Sequence, residues 1–201
     1  MCRCYMQTHP IYGGEIMLVP AQNYKDELQR ELIARWYDPK YSHYFAGERG
    51  GSNIADNAFW RRDFVYIDDD GNIAGFFGYA FNETSKSMYN FGLIGFRDNN
   101  TRMIYEVIAH VRMMFETHQA QRAEFWAFAD NPVNKLYKRF CRKYGGREAA
   151  RLHRTTYYDG AYHDTIVYEF MSESILFALK LKSSNQTFDF GDVSEYTTIS
   201  E

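Results

Sequence analysis

The sequence predicts an α/β (α+β) domain with a mixed, mostly antiparallel central sheet flanked by helices. The strongest sign is the stretch 88–146, which follows the order strand, polar loop, helix, strand, helix. Two strand-length apolar runs, 64–68 and 73–81, lead into this stretch through turn residues. A further pair of strand-like runs follows it. Strands joined by turns and then interleaved with helices favour a sheet covered by helices.

The composition indicates a folded domain rather than a membrane or disulfide-rich protein. The chain has 201 residues, of which 45% are hydrophobic, and it contains no apolar run of the ~18–20 residues that cross a bilayer. Its N-terminus lacks the apolar stretch of a signal peptide. Cys2, Cys4 and Cys141 are too few for a disulfide framework or a four-ligand zinc site. We therefore expect a cytoplasmic protein without a metal.

Charge is distributed unevenly along the chain. The segment 183–201 contains four acids and no Lys or Arg, which leaves 22 acids against 23 bases in the other residues. A balance this close to neutral does not favour nucleic-acid binding, and we expect no membrane partner either. We predict that the acidic segment is a mobile tail, with a partner-binding segment as the alternative.

We divide the chain into a lead-in at 1–14, a folded domain at 15–171 and a C-terminal extension at 172–201. The lead-in is either irregular or an extra edge strand. The extension begins with 172–181, which is apolar enough for a docking helix or strand, and it ends in the acidic segment.

The domain begins with a predicted strand and helix. The apolar run 15–20 ends at a proline and fits a strand. Asn23 is a suitable N-cap for a helix that runs to about residue 37, where Asp38-Pro39 stops it. The apolar face of this helix is Leu28, Leu32, Ile33 and Trp36.

A long loop is predicted next. The segment 41–57 is polar and contains three glycines. We expect a short helix near 54–61. Long loops that carry aromatic residues are often functional, but packing is an equal alternative, and both stay open.

The runs 64–68 and 73–81 predict a hairpin. The turn 69–72 is Asp-Asp-Gly-Asn, in which the glycine tolerates the positive φ that such a turn needs. Gly75 and Gly78 lie inside the second strand and indicate a bulge or a close backbone approach.

The stretch 88–146 then predicts a strand at 87–96 and a polar loop at 97–102. A polar loop before a helix N-terminus suits an anion, because free backbone N–H groups and the positive end of the helix dipole point at it. The helix after the loop has one apolar stripe. Its members are Met103, Ile104, Val107, Ile108, Val111, Met114 and Phe115.

The remaining elements are shorter. We predict a strand at 124–128 and a helix at 131–144, which two glycines end. Strands at 151–156 and 166–170 follow, paired around a turn at 158–160.

The last helix carries a motif. The pattern Asn-x-x-Ala-x-x-Leu-Tyr-x-x-x-Gly-Phe aligns with it without gaps when Asn134, Phe140 and Cys141 occupy the Asn, Leu and Tyr positions. A shifted alignment places Leu136-Tyr137 on Leu-Tyr instead, with Asp130 on the Asn and an insertion before the glycines. We prefer the ungapped version.

This motif and the element order over 16–170 resemble the GNAT superfamily of N-acetyltransferases, with 15–171 as the acyltransferase domain. The family's second signature is Arg/Gln-x-x-Gly-x-Gly/Ala, at 97–102 here, where Asn100 and Arg102 replace the two small residues. The resemblance implies that this loop and the fourth strand hold acetyl-coenzyme A. The implied cofactor-binding residues are Ile94, Phe96, Arg97, Asn99, Asn100, Thr101, Arg102 and Asn134.

The resemblance also implies a reaction. A divergent member of the family, similar to its phage-encoded relatives, would transfer an acetyl group to a primary amine by direct attack. Cys141 stands where a Tyr often protonates the departing thiolate, and Tyr137 is the fallback donor. A small buried hydrophobe is the other interpretation of Cys141.

The base and the acceptor stay open. The acids near the central strands and the following helix are Asp68, Glu83, Glu106 and Glu124. Basic residues along 135–143 predict a solvated face, or a surface for a coenzyme A phosphate or an acidic partner. The acceptor is an amine-bearing small molecule or a peptide or protein, and the oligomeric state is open, with a dimer among the options. The alternative function is a non-catalytic GNAT-like binding or structural protein that has lost cofactor use.

Overall fold

The computed structural model describes residues 18–45, 54, 60–97 and 101–176. Seven strands of this part form one sheet in the order β1-β2-β3-β4-β5-β7-β6. The strands are β1 (Leu18–Pro20), β2 (Arg61–Ile67), β3 (Ile73–Asn82), β4 (Ser87–Gly95), β5 (Arg122–Phe128), β6 (Arg147–Tyr158) and β7 (Ala161–Met171). The helices are α1 (Lys25–Ala34), α2 (Ser42–Phe45), α3 (Thr101–Glu116) and α4 (Asn134–Tyr144).

The sheet is mixed and mostly antiparallel, as predicted. Every neighbouring pair of strands is antiparallel except β4 and β5, which run parallel. The parallel pair is connected through α3, because two parallel neighbours need a long crossover. The antiparallel pair β6 and β7 follows α4 and closes on the other edge of β5.

Helices cover both faces of the sheet. Val65 and Tyr66 are neighbours on β2, so their side chains point to opposite faces. Val65 packs in a core with Leu28 of α1, whereas Tyr66 packs in a second core with Met103 of α3. The α1 core also receives side chains of the α2 segment, and the α3 core receives those of α4.

The first helix starts later than predicted. Asn23 lies inside a 3-10 turn, Ala21–Tyr24, and no side chain caps the start of α1. The prediction of an Asn23 cap is therefore wrong, because the proline-ended β1 leads directly into this tighter turn. Leu28 and Leu32 are buried as expected, but Ile33 and Trp36 are exposed.

The segment predicted as a loop at 41–57 begins as regular structure. Pro39–Tyr41 is a 3-10 turn, with the Asp38 side chain accepting from the Lys40 N–H, and α2 continues from it. The helix expected near 54–61 lies mostly outside the described residues, and Arg61 already belongs to β2.

The turns are well predicted. Gly71 in the β2–β3 turn, Asp159 and Gly160 in the β6–β7 turn and Gly145 at the end of α4 all have positive φ. Beyond β7, residues 172–176 are helical, and Ser174 lies against Gly145. The lead-in 1–14 and the acidic tail 183–201 lie outside the described residues, so the three-part division of the chain stays a prediction.

Candidate active site

The parallel strands β4 and β5 pair only at their beginnings. Ser87 pairs with Arg122 and Met88 with Ala123, and no further pair joins the two strands. Both strands continue, to Gly95 and Phe128 respectively. They therefore diverge from Met88 onward and leave a wedge between them, the β4–β5 gap, which is widest at their C-terminal ends. The sheet is therefore splayed between these two strands.

A bulge in β4 lies where the strands begin to part. Gly78 of β3 pairs with Gly92, but Ala80 pairs with Tyr89, so β4 has one extra residue between these pairs. Asn90 lies in this interval and has φ +53°, a conformation that Asn tolerates better than most residues. Because a bulge bends its strand and increases the local twist, it turns β4 away from β5.

The hydrogen bonds of β4 show which backbone groups face the gap. The Phe96 N–H donates to the Ala74 carbonyl of β3 at 2.8 Å. In an antiparallel ladder the residues that bond to the partner alternate, so Ile94 also faces β3. The N–H groups of Leu93 and Gly95 therefore face the gap.

Ile94 and Phe96 were predicted as cofactor-binding residues of the fourth strand. Their N–H groups are turned towards β3, and their side chains are buried in the α1 core. Their part in cofactor binding stays a prediction, and the N–H groups that face the gap belong to the alternate residues Leu93 and Gly95.

The start of α3 lies beside the wide end of the gap. A Cβ at Gly75, the β3 partner of Gly95, would overlap the Met103 sulfur and would lie 2.9 Å from the Ile94 carbonyl oxygen. Only glycine lets the first turn of α3 approach the sheet this closely. The N-terminal N–H groups of α3 are thus brought close to the end of β4.

Two aromatic side chains meet across the narrow end of the gap. Phe91 of β4 and Phe125 of β5 have ring centroids 6.0 Å apart in an edge-to-face arrangement. Phe125 in turn contacts Tyr137 of α4, with centroids 4.6 Å apart. The side of the gap that faces α3 and α4 is therefore apolar at its narrow end, and Tyr137 lies next to it.

The side that faces α2 is polar at the wide end. Asp130 is the second residue after β5. Three polar side chains, from α2 and from the β6–β7 hairpin, lie close to its carboxylate. Its Oδ2 lies 2.9 Å from His163 Nδ1 and accepts from the Tyr158 hydroxyl at 3.2 Å, and its Oδ1 lies 3.6 Å from His43 Nε2. We call Asp130, His43, Tyr158 and His163 the Asp130 cluster.

Comparison with solved structures identifies the fold. A GCN5-related N-acetyltransferase from Brucella melitensis superposes with a TM-score of 0.61 at 15% identity, over 86% of this chain and 84% of that one. The chain has the GNAT fold. No family model and no curated protein sequence matches it significantly.

Two further structures agree. The spermidine N-acetyltransferase from Vibrio cholerae in complex with CoA and spermine has a TM-score of 0.61 at 15% identity, over 79% of this chain and 96% of that one. A putative acetyltransferase has a TM-score of 0.60 at 18% identity, over 90% of this chain and all of that one. The GNAT fold expected from the element order and the Asn134 motif is confirmed.

The pyrophosphate loop expected on the GNAT fold is only partly described. Asn99 and Asn100 lie outside the described residues. Arg97 is exposed at the end of β4, and Thr101 and Arg102 belong to the first turn of α3 rather than to the loop. The Arg102 guanidinium donates to Asp69 Oδ1 in the β2–β3 turn at 3.1 Å.

The Asn134 side chain makes hydrogen bonds within the fold. Its amide nitrogen lies within hydrogen-bond distance of the carbonyls of Phe128, Ala129 and Asn131, at 2.7 to 3.2 Å. Its side-chain oxygen accepts from the Tyr168 hydroxyl at 2.9 Å. The buried side chain thereby ties the start of α4 to β5 and β7, and its part in cofactor binding stays a prediction.

The two predicted proton donors differ in their position on the GNAT fold. Tyr137 contacts the lining of the gap, whereas Cys141 lies one turn further along α4 and is buried. Burial raises the pKa of Tyr137 to about 12. Burial and the Glu148 charge raise the pKa of Cys141 to about 11. Both groups stay protonated at neutral pH, and both are weak acids.

The four acids considered as bases are engaged elsewhere or only partly buried. Asp68 accepts from backbone N–H groups of its own turn, Glu83 pairs with Lys86 and Glu124 with Arg122. Glu106 on α3 is partly buried. Burial raises the pKa of its carboxyl group against the opposing effect of Arg102.

The sequence reading missed the Asp130 cluster. The sequence analysis named Asp130 only in the shifted motif alignment. His43 was only part of the predicted loop at 41–57, for which function and packing were equal alternatives. A usable signal was present, because a polar residue just after a strand that neighbours a parallel strand lies at the end where ligands bind in α/β sheets.

Two features are absent from the residues that the structure describes. Among residues 18–45, 54, 60–97 and 101–176, no group of three or more His, Cys, Asp or Glu side chains is arranged to hold a metal ion. None of the described helices is long and apolar enough to cross a membrane.

Proposed function

We propose that this protein is an N-acyltransferase that moves an acetyl group from acetyl-coenzyme A to a primary amine by direct attack. The observation that carries the proposal is the β4–β5 gap. The bulge at Asn90 turns β4 away from β5, so the N–H groups of Leu93 and Gly95 are not used by a neighbouring strand. Such groups are suitable donors for the pantetheine amides and the acetyl carbonyl of a thioester.

The residues at the wide end fit the charged part of the donor. The first turn of α3 contains no acidic residue, so the N–H groups at its N-terminus and the positive end of the helix dipole favour a pyrophosphate. Arg97 adds positive charge at the end of β4. The proposed pyrophosphate contacts are Arg97, Asn99, Asn100, Thr101 and Arg102. To contact the pyrophosphate, Arg102 must first rearrange its ion pair with Asp69.

The reaction needs one new bond and two proton movements. The amine nitrogen bonds to the acetyl carbon while the C–S bond breaks and the sulfur leaves with its electron pair. The N–H groups of Leu93 and Gly95 stabilise the negative charge that develops on the carbonyl oxygen. Tyr137 or Cys141 supplies a proton to the departing thiolate, and the amine loses one to a base.

The acceptor is an amine-bearing small molecule or peptide. One structural neighbour is a spermidine N-acetyltransferase bound to CoA and spermine, which makes spermidine a sensible first probe. A lysine-containing peptide tests the alternative class of acceptor.

The donor is tested first, by calorimetry and thermal unfolding with acetyl-coenzyme A. We expect saturable heat and, at 100 times the dissociation constant, a stabilisation of about 2.7 kcal/mol. Thiol release in the presence of spermidine or the lysine peptide then reports transfer. If about millimolar acetyl-coenzyme A gives neither heat nor stabilisation, the proposal is wrong.

A non-catalytic GNAT-like binding protein is the second candidate. The observation that favours it is the buried, weakly acidic Cys141 at the position where the motif has a Tyr. In that case acetyl-coenzyme A or another ligand would bind without thiol release from any amine. The same two measurements therefore separate the two candidates.

A further inference from the structure

The short helix α2 lies across the wide end of the β4–β5 gap. Its residues Tyr44 and Phe45 pack on the core that contains Ile94 and Phe96 from the end of β4. Its residue His43 instead reaches the end of β5, with its ring centroid 6.5 Å from that of Phe128. The helix thus joins the two strand ends on the face opposite to α3.

His43 and Asp130 are close but not hydrogen bonded. The distance of 3.6 Å between His43 Nε2 and Asp130 Oδ1 exceeds that of a hydrogen bond. Within the described part of the chain, His43 Nε2 is buried without a hydrogen-bond partner. The imidazole nitrogen and the carboxylate oxygen therefore face each other without a direct hydrogen bond.

The other carboxylate oxygen is fixed. The Tyr158 hydroxyl and the His163 ring both lie within hydrogen-bond distance of Asp130 Oδ2, and the Tyr158 and His163 rings stack with centroids 3.8 Å apart. Burial, together with the charge and hydrogen bond of Asp130, raises the pKa of Tyr158 to about 12. The phenol therefore stays protonated and keeps donating.

The result is an oriented carboxylate that is still accessible. The Asp130 side chain is 49% exposed although its Oδ2 has two partners. Tyr158 and His43, which lie next to Asp130, both contact the ring of Phe128. A carboxylate beside aromatic rings is the chemistry that binds an organic cation, by charge pairing and by cation–π attraction.

We propose that the Asp130 cluster is the acceptor site, where a primary ammonium group binds to Asp130 and loses a proton to the Asp130–His43 pair. This inference rests on the proposed function and adds the residues that select and deprotonate the amine. His163 and Tyr158 are positioning residues that hold the carboxylate.

The proton balance is simple. The ammonium nitrogen gives one proton to the Asp130–His43 pair and becomes a neutral amine with a free electron pair. It then attacks the acetyl carbon from the α2 side of the gap. The proton returns to solvent after the amide has formed.

The test uses butylamine as a probe, with the intact chain and acetyl-coenzyme A. In the unaltered protein we expect butylammonium to shift the NMR signals of the His43 ring. Asp130→Asn should weaken butylammonium binding at least 10-fold. Asp130→Asn and His43→Gln should each lower kcat/KM for butylamine about 100-fold, the scale of acid–base catalysis, while the Kd of acetyl-coenzyme A changes less than 2-fold.

Asp159→Asn is the matched control. Asp159 lies in the β6–β7 turn close enough to influence Tyr158 electrostatically, so its removal changes the local charge equally without touching the cluster. We expect it to leave kcat/KM within 2-fold. His43→Gln keeps the test valid if Asp130→Asn does not fold.

The failures are distinguishable. If the unaltered protein binds no acetyl-coenzyme A, the proposed function is wrong. If it binds acetyl-coenzyme A but butylammonium leaves the His43 signals unchanged, or if Asp130→Asn behaves like Asp159→Asn, the acceptor site is elsewhere and the proposed function stands.

Discussion

At the scale of single residues, the open choice is between Tyr137 and Cys141 as the donor to the thiolate. The Tyr137 ring contacts Phe125, which meets Phe91 of β4, so it borders the gap. Cys141 lies one turn further along α4, and its side chain is buried. The contacts therefore favour Tyr137, although the motif alignment favours Cys141.

Tyr137→Phe tests this choice because it keeps the aromatic packing and removes only the hydroxyl. We expect kcat to fall about 100-fold, as for loss of a general acid, with the Kd of acetyl-coenzyme A unchanged. Steady-state kinetics with spermidine and calorimetry measure the two quantities.

Cys141→Ser is the matched variant, since it changes the second candidate at little cost in volume. It should leave kcat within about 3-fold, well below the loss expected for a general acid. The opposite pattern, a large loss in Cys141→Ser and none in Tyr137→Phe, would assign the donor to Cys141.

At the scale of elements, the approach of α3 to the β3–β4 pair controls the wide end of the gap. Gly75 makes this approach possible, because an added Cβ would meet both the Met103 side chain and the Ile94 carbonyl. The side chain can move but the backbone oxygen cannot, so α3 or β4 must shift.

Gly75→Ala should therefore lower the free energy of unfolding by about 1–3 kcal/mol, the usual cost of overpacking. It should also weaken acetyl-coenzyme A binding, because the start of α3 moves. Urea titration and calorimetry measure the two effects.

Gly71→Ala separates packing from backbone strain. Gly71 has φ +82°, and nothing lies within 4 Å of an added Cβ, so its only cost is the strain of a positive φ, about 1 kcal/mol. We expect its affinity for acetyl-coenzyme A to match that of the unaltered chain. Equal affinities in both variants would show that the position of α3 does not matter for binding.

The same elements show what the sequence could and could not predict. Strand and turn positions followed from apolar runs and from glycines, and the close approach at Gly75 was anticipated from its place inside a strand. The sequence predicted that the fourth strand holds the donor, but not which of its N–H groups face the gap. The sequence shows that Ile94 and Phe96 have apolar side chains. The edge of β4 that each backbone N–H group faces depends instead on how β4 pairs with β3.

Only Asp130 of the Asp130 cluster had a signal in the sequence, through its position after a strand, and the grouping of the cluster was missed for a related reason. His43, Asp130 and Tyr158 come from three segments that the sheet order brings together, and no local pattern connects them. β6 was also predicted too short, because it is an edge strand whose mostly exposed side chains show little apolar alternation.

At the scale of the whole molecule, the core under α3 contains a titratable pair that makes folding depend on pH. The Tyr79 hydroxyl lies 2.9 Å from His110 Nε2, and the rings of Phe64 and Phe77 surround the imidazole. Burial, with smaller effects of Arg62 and His118, lowers the pKa of His110 to about 4.

The direction of the pH effect follows from the two states. In the unfolded chain His110 takes up a proton near pH 6.5, whereas in the folded protein it stays neutral down to about pH 4. The unfolded state thus binds more protons between these values. Stability from this group is fully present above about pH 6.5 and is lost as the pH falls towards 4.

We expect the free energy of unfolding to fall by about 1.5 kcal/mol between pH 6.5 and pH 5 from His110 alone. Asp164 and Glu169 have lowered pKa values in the folded protein, so their carboxylates contribute stability that is lost only as the pH falls further. This loss lies below the window of His110, because carboxylates ordinarily titrate near pH 4. Urea titrations at pH 6.5, 5.75 and 5 measure the slope.

His110→Gln keeps a hydrogen-bond partner for Tyr79 and cannot titrate, so it should remove most of that slope. Tyr79→Phe retains the buried imidazole and should keep it. His118→Gln tests the second histidine. His118 is exposed just after the end of α3, and partial burial also lowers its pKa. Linkage assigns the pH dependence of the free energy of unfolding to the group that takes up a proton on unfolding. If His118→Gln removed this dependence and His110→Gln did not, the Tyr79–His110 pair would not be its source.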